Sequence, residues 1–104
     1  MKIAIVGFDS VWEAVAAINK WVEETQIYLF SIVCVKNSMA ERIAEELGAP
    51  AYFLKENDGE WLVQNLPRIV DYGIIKYDGE NGFVRRLIMG LKMEGKHGWV
   101  VKNE

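Results

Sequence analysis

Asp78-Gly79-Glu80-Asn81-Gly82 packs two carboxylates, a carboxamide and two glycines into five residues, and Arg85 and Arg86 follow within the next helical turn. A glycine-bearing turn that opens a helix leaves backbone N–H groups without intrahelical partners, at the positive end of the helix dipole. Such a place suits phosphate, and an arginine one turn on can fold back as a charge-assisted donor. The acidic pair opposes an anion, so Asp78 and Glu80 call for a Mg²⁺ ion or for contacts to ribose hydroxyls. The same residues also make an ordinary tight turn with solvated arginines, and composition alone leaves both readings open.

Two further loops carry polar side chains. Gly7-Phe8-Asp9-Ser10 follows an apolar run; Ser10 could donate to a phosphate, and Asp9 could meet a ribose or a metal, or the pair could simply cap a helix. A lone Gly7 is not a dinucleotide fingerprint, which needs further glycines at fixed spacing. Lys36-Asn37-Ser38 ends the next apolar run, with Lys36 the obvious cation. Asp78, Glu80 and Asp9 are the candidate acid, base or metal ligands, but no nucleophile, base and orienting group are grouped as a catalytic set. Whether a reaction occurs is left open. With one cysteine, Cys34, and one histidine, His97, a zinc site within the chain is not expected, and Cys34 reads as a core residue.

The elements that must position these loops alternate in period. Ile3–Val6 is apolar on both parities, as in a strand buried on both faces. Ser10-Val-Trp-Glu13 is a capping box, and Val11, Val15, Ile18 and Val22 line one face of a helix ending near Thr25. Ile27–Lys36 reads as the second strand from its β-branched and aromatic content. Ser38-Met-Ala-Glu41 is again a capping box, opening a helix that Gly48 and Pro50 terminate. Ala51–Leu54 is the third strand. Glu60–Leu66 is a short helix broken or re-aimed at Pro67. Tyr72–Tyr77 is the fourth strand, with Lys76 an odd residue inside it. A helix from Gly82 or Phe83 to Glu94 turns Val84, Leu87, Ile88 and Leu91 inward, and Gly90 within it implies close packing. Gly98–Val101 is the fifth strand. Strands alternating with helices predict an α/β fold, one domain over residues 1–104, with a mainly parallel sheet and helices on both faces. The residues alone do not choose between the strand orders 3-2-1-4-5 and 2-1-3-4-5.

Composition bounds the partners. The chain has 104 residues, 12 basic and 15 acidic, with a formal net charge of −3, so nonspecific nucleic-acid binding is not expected on charge grounds. Met1–Val6 is too short for a signal-peptide core, and the apolar run Ile27–Val35 is about half of the ~20 residues a membrane helix needs. The chain reads as cytoplasmic, with no membrane partner.

Asp71-Tyr-Gly-Ile-Ile-Lys-Tyr-Asp-Gly-Glu-Asn-Gly82, running into a helix that ends Glu94-Gly-Lys96 before Trp99-Val-Val101, resembles the C-terminal half of the SLOG superfamily, which includes the Smf/DprA and lonely-guy proteins. It is most similar to the small YspA/YpsA-like branch. Tyr77, Asp78, Gly79, Gly82, Gly95 and Lys96 carry the likeness. Met1–Gly7 resembles that family's opening strand, and Met39–Pro50 its second helix leading to an edge strand. The resemblance implies a Rossmann-like three-layer sheet ordered 3-2-1-4-5, a nucleotide-related ligand and a homodimer. Two departures stand out. Val35-Lys-Asn-Ser-Met39 replaces a glycine-rich loop, and Phe83 stands where a threonine is common.

Three functions follow as expectations. The first is a small domain binding a nucleotide or nucleoside phosphate, as a sensor or a hydrolase of a nucleotide derivative. Its ligand would meet Gly7, Phe8, Asp9, Ser10, Lys36, Asn37, Ser38, Asp78, Gly79, Asn81, Gly82, Arg85 and Arg86. The second is an interaction module of the same fold that has lost the pocket; the missing glycine-rich loop favours it. The third, a response-regulator-like phosphoacceptor, lacks the paired acids expected directly after the first strand. Trp12 and Trp61 are the tryptophans available to a subunit interface.

Overall fold

In a computed structural model, which describes residues 1–102, five parallel strands form one sheet in the order 3-2-1-4-5. The elements are β1 (Lys2–Val6), α1 (Val11–Thr25), β2 (Ser31–Val35), α2 (Met39–Leu47), β3 (Ala51–Leu54), α3 (Gly59–Ile69), β4 (Tyr72–Tyr77), α4 (Gly82–Met93) and β5 (His97–Lys102). This is the expected α/β, Rossmann-like three-layer arrangement. β1 is central, paired with β2 through Ile3 opposite Ile32 and with β4 through Ile5 opposite Ile74.

Strand alternation divides the core in two. Ile3, Ile32 and Ile74 face α1 and α2, where they meet Ala14, Ile18, Trp21, Ile43 and Ala44. Ala4, Val33 and Ile75 face α3 and α4, where they meet Leu66, Val70, Val84, Leu87 and Leu91. Trp21 is fully buried, edge-on to Phe30 with ring centroids 5.5 Å apart. Burying each such side chain is worth roughly 1.5–3 kcal/mol, enough to make these stripes decide which face each helix presents.

Every helix opens on a side-chain cap. The N–H groups of Glu13, Glu41, Trp61 and Val84 donate to Ser10 Oγ, Ser38 Oγ, Asp58 Oδ2 and Asn81 Oδ1. Both predicted capping boxes form with one shift. The carboxylates of Glu13 and Glu41 accept from the N–H of Asp9 and Asn37, one residue before the cap. The loop thereby gains a second tether to the helix it feeds.

The structure corrects three boundaries. β2 starts at Ser31, not Ile27. Gln26 turns left-handed (φ 61°) to end α1, and β1 offers no partner before Lys2, which pairs with Ser31. Ile27 and Phe30 join the core as loop residues, while Tyr28 and Leu29 face outward. α3 is not broken at Pro67 but runs on to Ile69. Proline forfeits one hydrogen bond there, near the helix end, and Lys96 Nζ donates to the carbonyls of Pro67 (2.7 Å) and Arg68 (3.0 Å). The Pro67 ring also seats on α4, its Cγ 2.7 Å from where a Cβ on Gly90 would lie, so the glycine within α4 is the contact point of the two helices. β5 is longer than expected and takes in His97, which pairs with Tyr72.

Candidate functional site

The strands of a parallel sheet point their carboxyl ends one way, and the order 3-2-1-4-5 places the reversal of winding between β1 and β4. At that edge lie the four helix-opening loops of the described residues: the three predicted ones, Gly7–Ser10, Lys36–Ser38 and Asp78–Asn81, and Lys55–Asp58 before α3. Residues that end apolar strands therefore lie beside residues that open capped helices.

Two crevices open along this edge. The first, about 270 Å³, lies on the α3/α4 side and is lined chiefly by Val6, Val35, Leu54, Leu62, Phe83 and Leu87. Gly7 borders it, as do Ser38, Met39 and Ala40 at the amino end of α2. The second, about 450 Å³, lies between the amino ends of α1 and α2, where Asp9, Ser10 and Trp12 face Asn37, Ser38 and Arg42. The first two predicted loops thus share a cleft. Phe8, Lys36, Asp78, Gly79, Asn81, Gly82, Arg85 and Arg86 line neither crevice; Phe8 is buried in the core facing α1 and α2, and α4 contributes Phe83 and Leu87 instead.

Gly7 is the residue on which the first loop turns. Its φ is +88°, and a Cβ there would fall 2.2 Å from the Lys76 carbonyl oxygen, so β1 passes β4 more closely than any side chain permits. Lys76, odd in sequence, resolves at the same spot. It lies near the end of β4 with its side chain only 11% exposed, and its Nζ donates to Glu13 Oε2 (2.7 Å) and Asp9 Oδ2 (3.1 Å). The bond to Glu13, then that to Asp9, raises the Lys76 pKa above the ordinary lysine range. The Lys76 bond, followed by the Asp9 N–H, holds the Glu13 carboxyl below the ordinary glutamate range. Asp9 is therefore engaged with a lysine, which competes with a role toward ribose or metal.

The Asp78 turn closes on itself. Asp78 Oδ1 accepts from the N–H groups of Glu80 (2.7 Å) and Asn81 (3.0 Å), in that order lowering the Asp78 pKa. The carboxylate thus occupies donors that an external anion would use. Arg86 makes a two-pronged pair with Glu60 on α3, at 2.7 and 3.1 Å, which lowers the Glu60 pKa and raises that of Arg86. Arg85 makes no ion pair among the described residues. The first two N–H groups of each helix, including Gly82 and Phe83 of α4 and Met39 and Ala40 of α2, lie beyond the reach of intrahelical bonding.

Cys34 is 3% exposed, and burial, then the Glu41 charge, pushes its thiol pKa up, which disfavours the nucleophilic thiolate. Sequence reasoning missed the apolar lining. The available signal was that β1, β2 and β3 stay apolar to their last residues, Val6, Val35 and Leu54, directly before polar loops. Among the described residues no helix is long and apolar enough to cross a membrane.

No family model matches the chain, and a search of curated proteins finds no match.

Proposed function

We propose that this domain binds a nucleotide or nucleoside phosphate at the carboxyl-end edge of its sheet, as a diverged relative of the SLOG proteins it resembles. One observation carries the reading. An apolar crevice at the ends of β1, β2 and β3 is bordered by the amino ends of two helices, through Ser38, Met39 and Ala40 of α2 and Phe83 of α4. A planar apolar body fits against Val6, Val35, Leu54 and Phe83, while a phosphate takes the unpaired N–H groups of Met39 and Ala40. Lys36 lines neither crevice, so the phosphate charge would be met by these N–H groups and the positive end of the α2 dipole. Among the described residues no three His, Cys, Asp or Glu side chains are gathered for a metal. A Mg²⁺ accompanying the ligand would be held chiefly by its phosphates and by water. Sensing and hydrolysis of a nucleotide derivative both remain within this proposal. Cytoplasmic residence and a homodimer, with Trp12 68% exposed as a candidate contact, belong to it as well.

The test is a thermal-shift panel of nucleotides on wild type and Ser38→Asp. Aspartate caps a helix as well as serine does but sets a negative charge where the phosphate would bind. Ligand at 100 times its Kd adds about 2.7 kcal/mol to wild type. The variant is expected to fold normally and to lose that gain; equal gains in both proteins would remove the α2 end from the site. No saturable binding by wild type at millimolar ligand would sink the proposal.

A second reading, an interaction module that has lost its pocket, is favoured by one specific feature. Asp78 already satisfies the Glu80 and Asn81 N–H groups, so the turn that resembles a phosphate loop carries its own anion.

A further inference from the structure

The outward face of α4 has a pattern of its own. Its inward stripe is Val84, Leu87, Ile88 and Leu91, while Arg85, Met89, Lys92 and Met93 are exposed. That second set falls at i, i+4, i+7 and i+8, one continuous stripe on a helix. Met89 is 56% and Met93 87% exposed. Neither Arg85 nor Lys92 makes an ion pair among the described residues.

This stripe runs against the charge of the molecule. Gly82–Lys96 holds four basic residues and one acidic, whereas the rest of the chain holds eight basic and fourteen acidic. The one acid, Glu94, pairs with Arg68 of α3. A positive, apolar strip on an otherwise negative protein complements an acidic apolar strip, and the negative remainder of the surface repels that acidic partner from the other faces.

We propose that α4 is a docking face for an acidic amphipathic helix of another protein. The two methionines would receive apolar residues at helical spacing, and Arg85 and Lys92 would flank them with charge. Unbranched, polarizable methionine adapts to varied apolar partners, which suits a helix-on-helix contact. α4 has 12 residues, and the stripe from Arg85 to Met93 covers about 12 Å of its axis, a small contact of the weak, transient kind. A nucleic acid would gain little from methionines. A membrane surface would ordinarily be met by Trp, Phe or Leu together with the basic residues. This inference goes beyond nucleotide binding, because the stripe lies outside both crevices.

The experiment is a nuclear magnetic resonance titration of the whole chain with a synthetic helix bearing leucines at i, i+3, i+4 and i+7 flanked by glutamates. A scrambled peptide of equal composition, anionic vesicles and a DNA duplex serve as separate arms. The expected result is saturable shifts centred on Arg85, Met89, Lys92 and Met93, weakening as salt rises. Arg85→Glu/Lys92→Glu and Met89→Asp/Met93→Asp should each fold normally and bind about tenfold more weakly or not at all. Shifts centred elsewhere, or no binding of the helix, overturn the proposal. So does equal binding of the scrambled peptide, or preference of α4 for vesicles, DNA or a second copy of the chain. Nucleotide binding can fail without touching this outcome, and the converse holds too.

Discussion

Lys76 Nζ lies 2.7 Å from Glu13 Oε2, so the end of β4 is bolted to the first turn of α1 across the place where the sheet reverses its winding. The two residues are far apart in sequence, and the bond holds the Gly7–Ser10 loop between them. Replacing Lys76 by Met keeps the stem packing but leaves Glu13 without its cation. The variant is expected to unfold at a lower temperature than wild type, with faster amide exchange in residues 7–10 as the local readout. An unchanged exchange pattern would show that the loop holds without the lysine.

The same bond sets a pH dependence. The Glu13 carboxyl titrates lower in the folded chain than unfolded, so its contribution is fully present above the ordinary glutamate range and is lost as pH falls through the folded value. Lys76 titrates higher when folded, so its contribution is present below the ordinary lysine range and is lost as pH rises through the folded value. Wild type should therefore lead Glu13→Gln in stability at neutral pH, and the lead should shrink below about pH 4. Denaturant midpoints measured from pH 3 to about 7 check this. A constant lead across that range would contradict the ion pair.

The α3–α4 contact is tight enough to reverse a common preference. Alanine is better than glycine inside a helix by about 1 kcal/mol. A Cβ at position 90 would lie 2.7 Å from Pro67 Cγ, and overpacking of this kind costs about 1–3 kcal/mol. Gly90→Ala is expected to be net destabilising by up to about 2 kcal/mol. Combining it with Pro67→Ala should recover part of that loss, measured as a double-mutant cycle.

The caps at the carboxyl-end edge are testable one by one. Ser10→Ala and Ser38→Ala each remove the acceptor for a helix N–H, that of Glu13 and Glu41. Each should cost about 1 kcal/mol in chemical denaturation. Midpoints unchanged in both variants would mean that the glutamate tethers to Asp9 and Asn37 carry the loops.

Asp78 acts as an internal anion, and removing it should make the turn receptive to an external one. Asp78→Ala frees the Glu80 and Asn81 N–H groups. The expected outcome is lower stability in dilute buffer, and a larger rise in unfolding temperature on adding sulfate than wild type shows. Equal sulfate responses would show that the turn offers no anion site even when vacated.

Local pattern determined much of this protein. Val11, Val15, Ile18 and Val22 announce a helix, Ile3–Val6 a strand buried on both sides, and Ser10 and Ser38 the starts of helices, because periodicity and capping act over a few residues. These features lead to an α/β chain of alternating elements and to the loops that lie at the carboxyl-end edge of its sheet. Tertiary structure decided what depends on residues remote in sequence. Strand order belongs to this group, since the residues fit two orders and only packing of α1 and α2 on one face, α3 and α4 on the other, selects one. The length of β2 was set by where β1 begins, and the passage of α3 through Pro67 by Gly90 and Lys96. The site divided the same way. Its loops were legible as polar breaks after apolar runs, but Asp9 was claimed by Lys76, Arg86 by Glu60 and the α4 turn by Asp78. A charged side chain takes the nearest opposite charge or donor, and which one is nearest is a property of the folded chain.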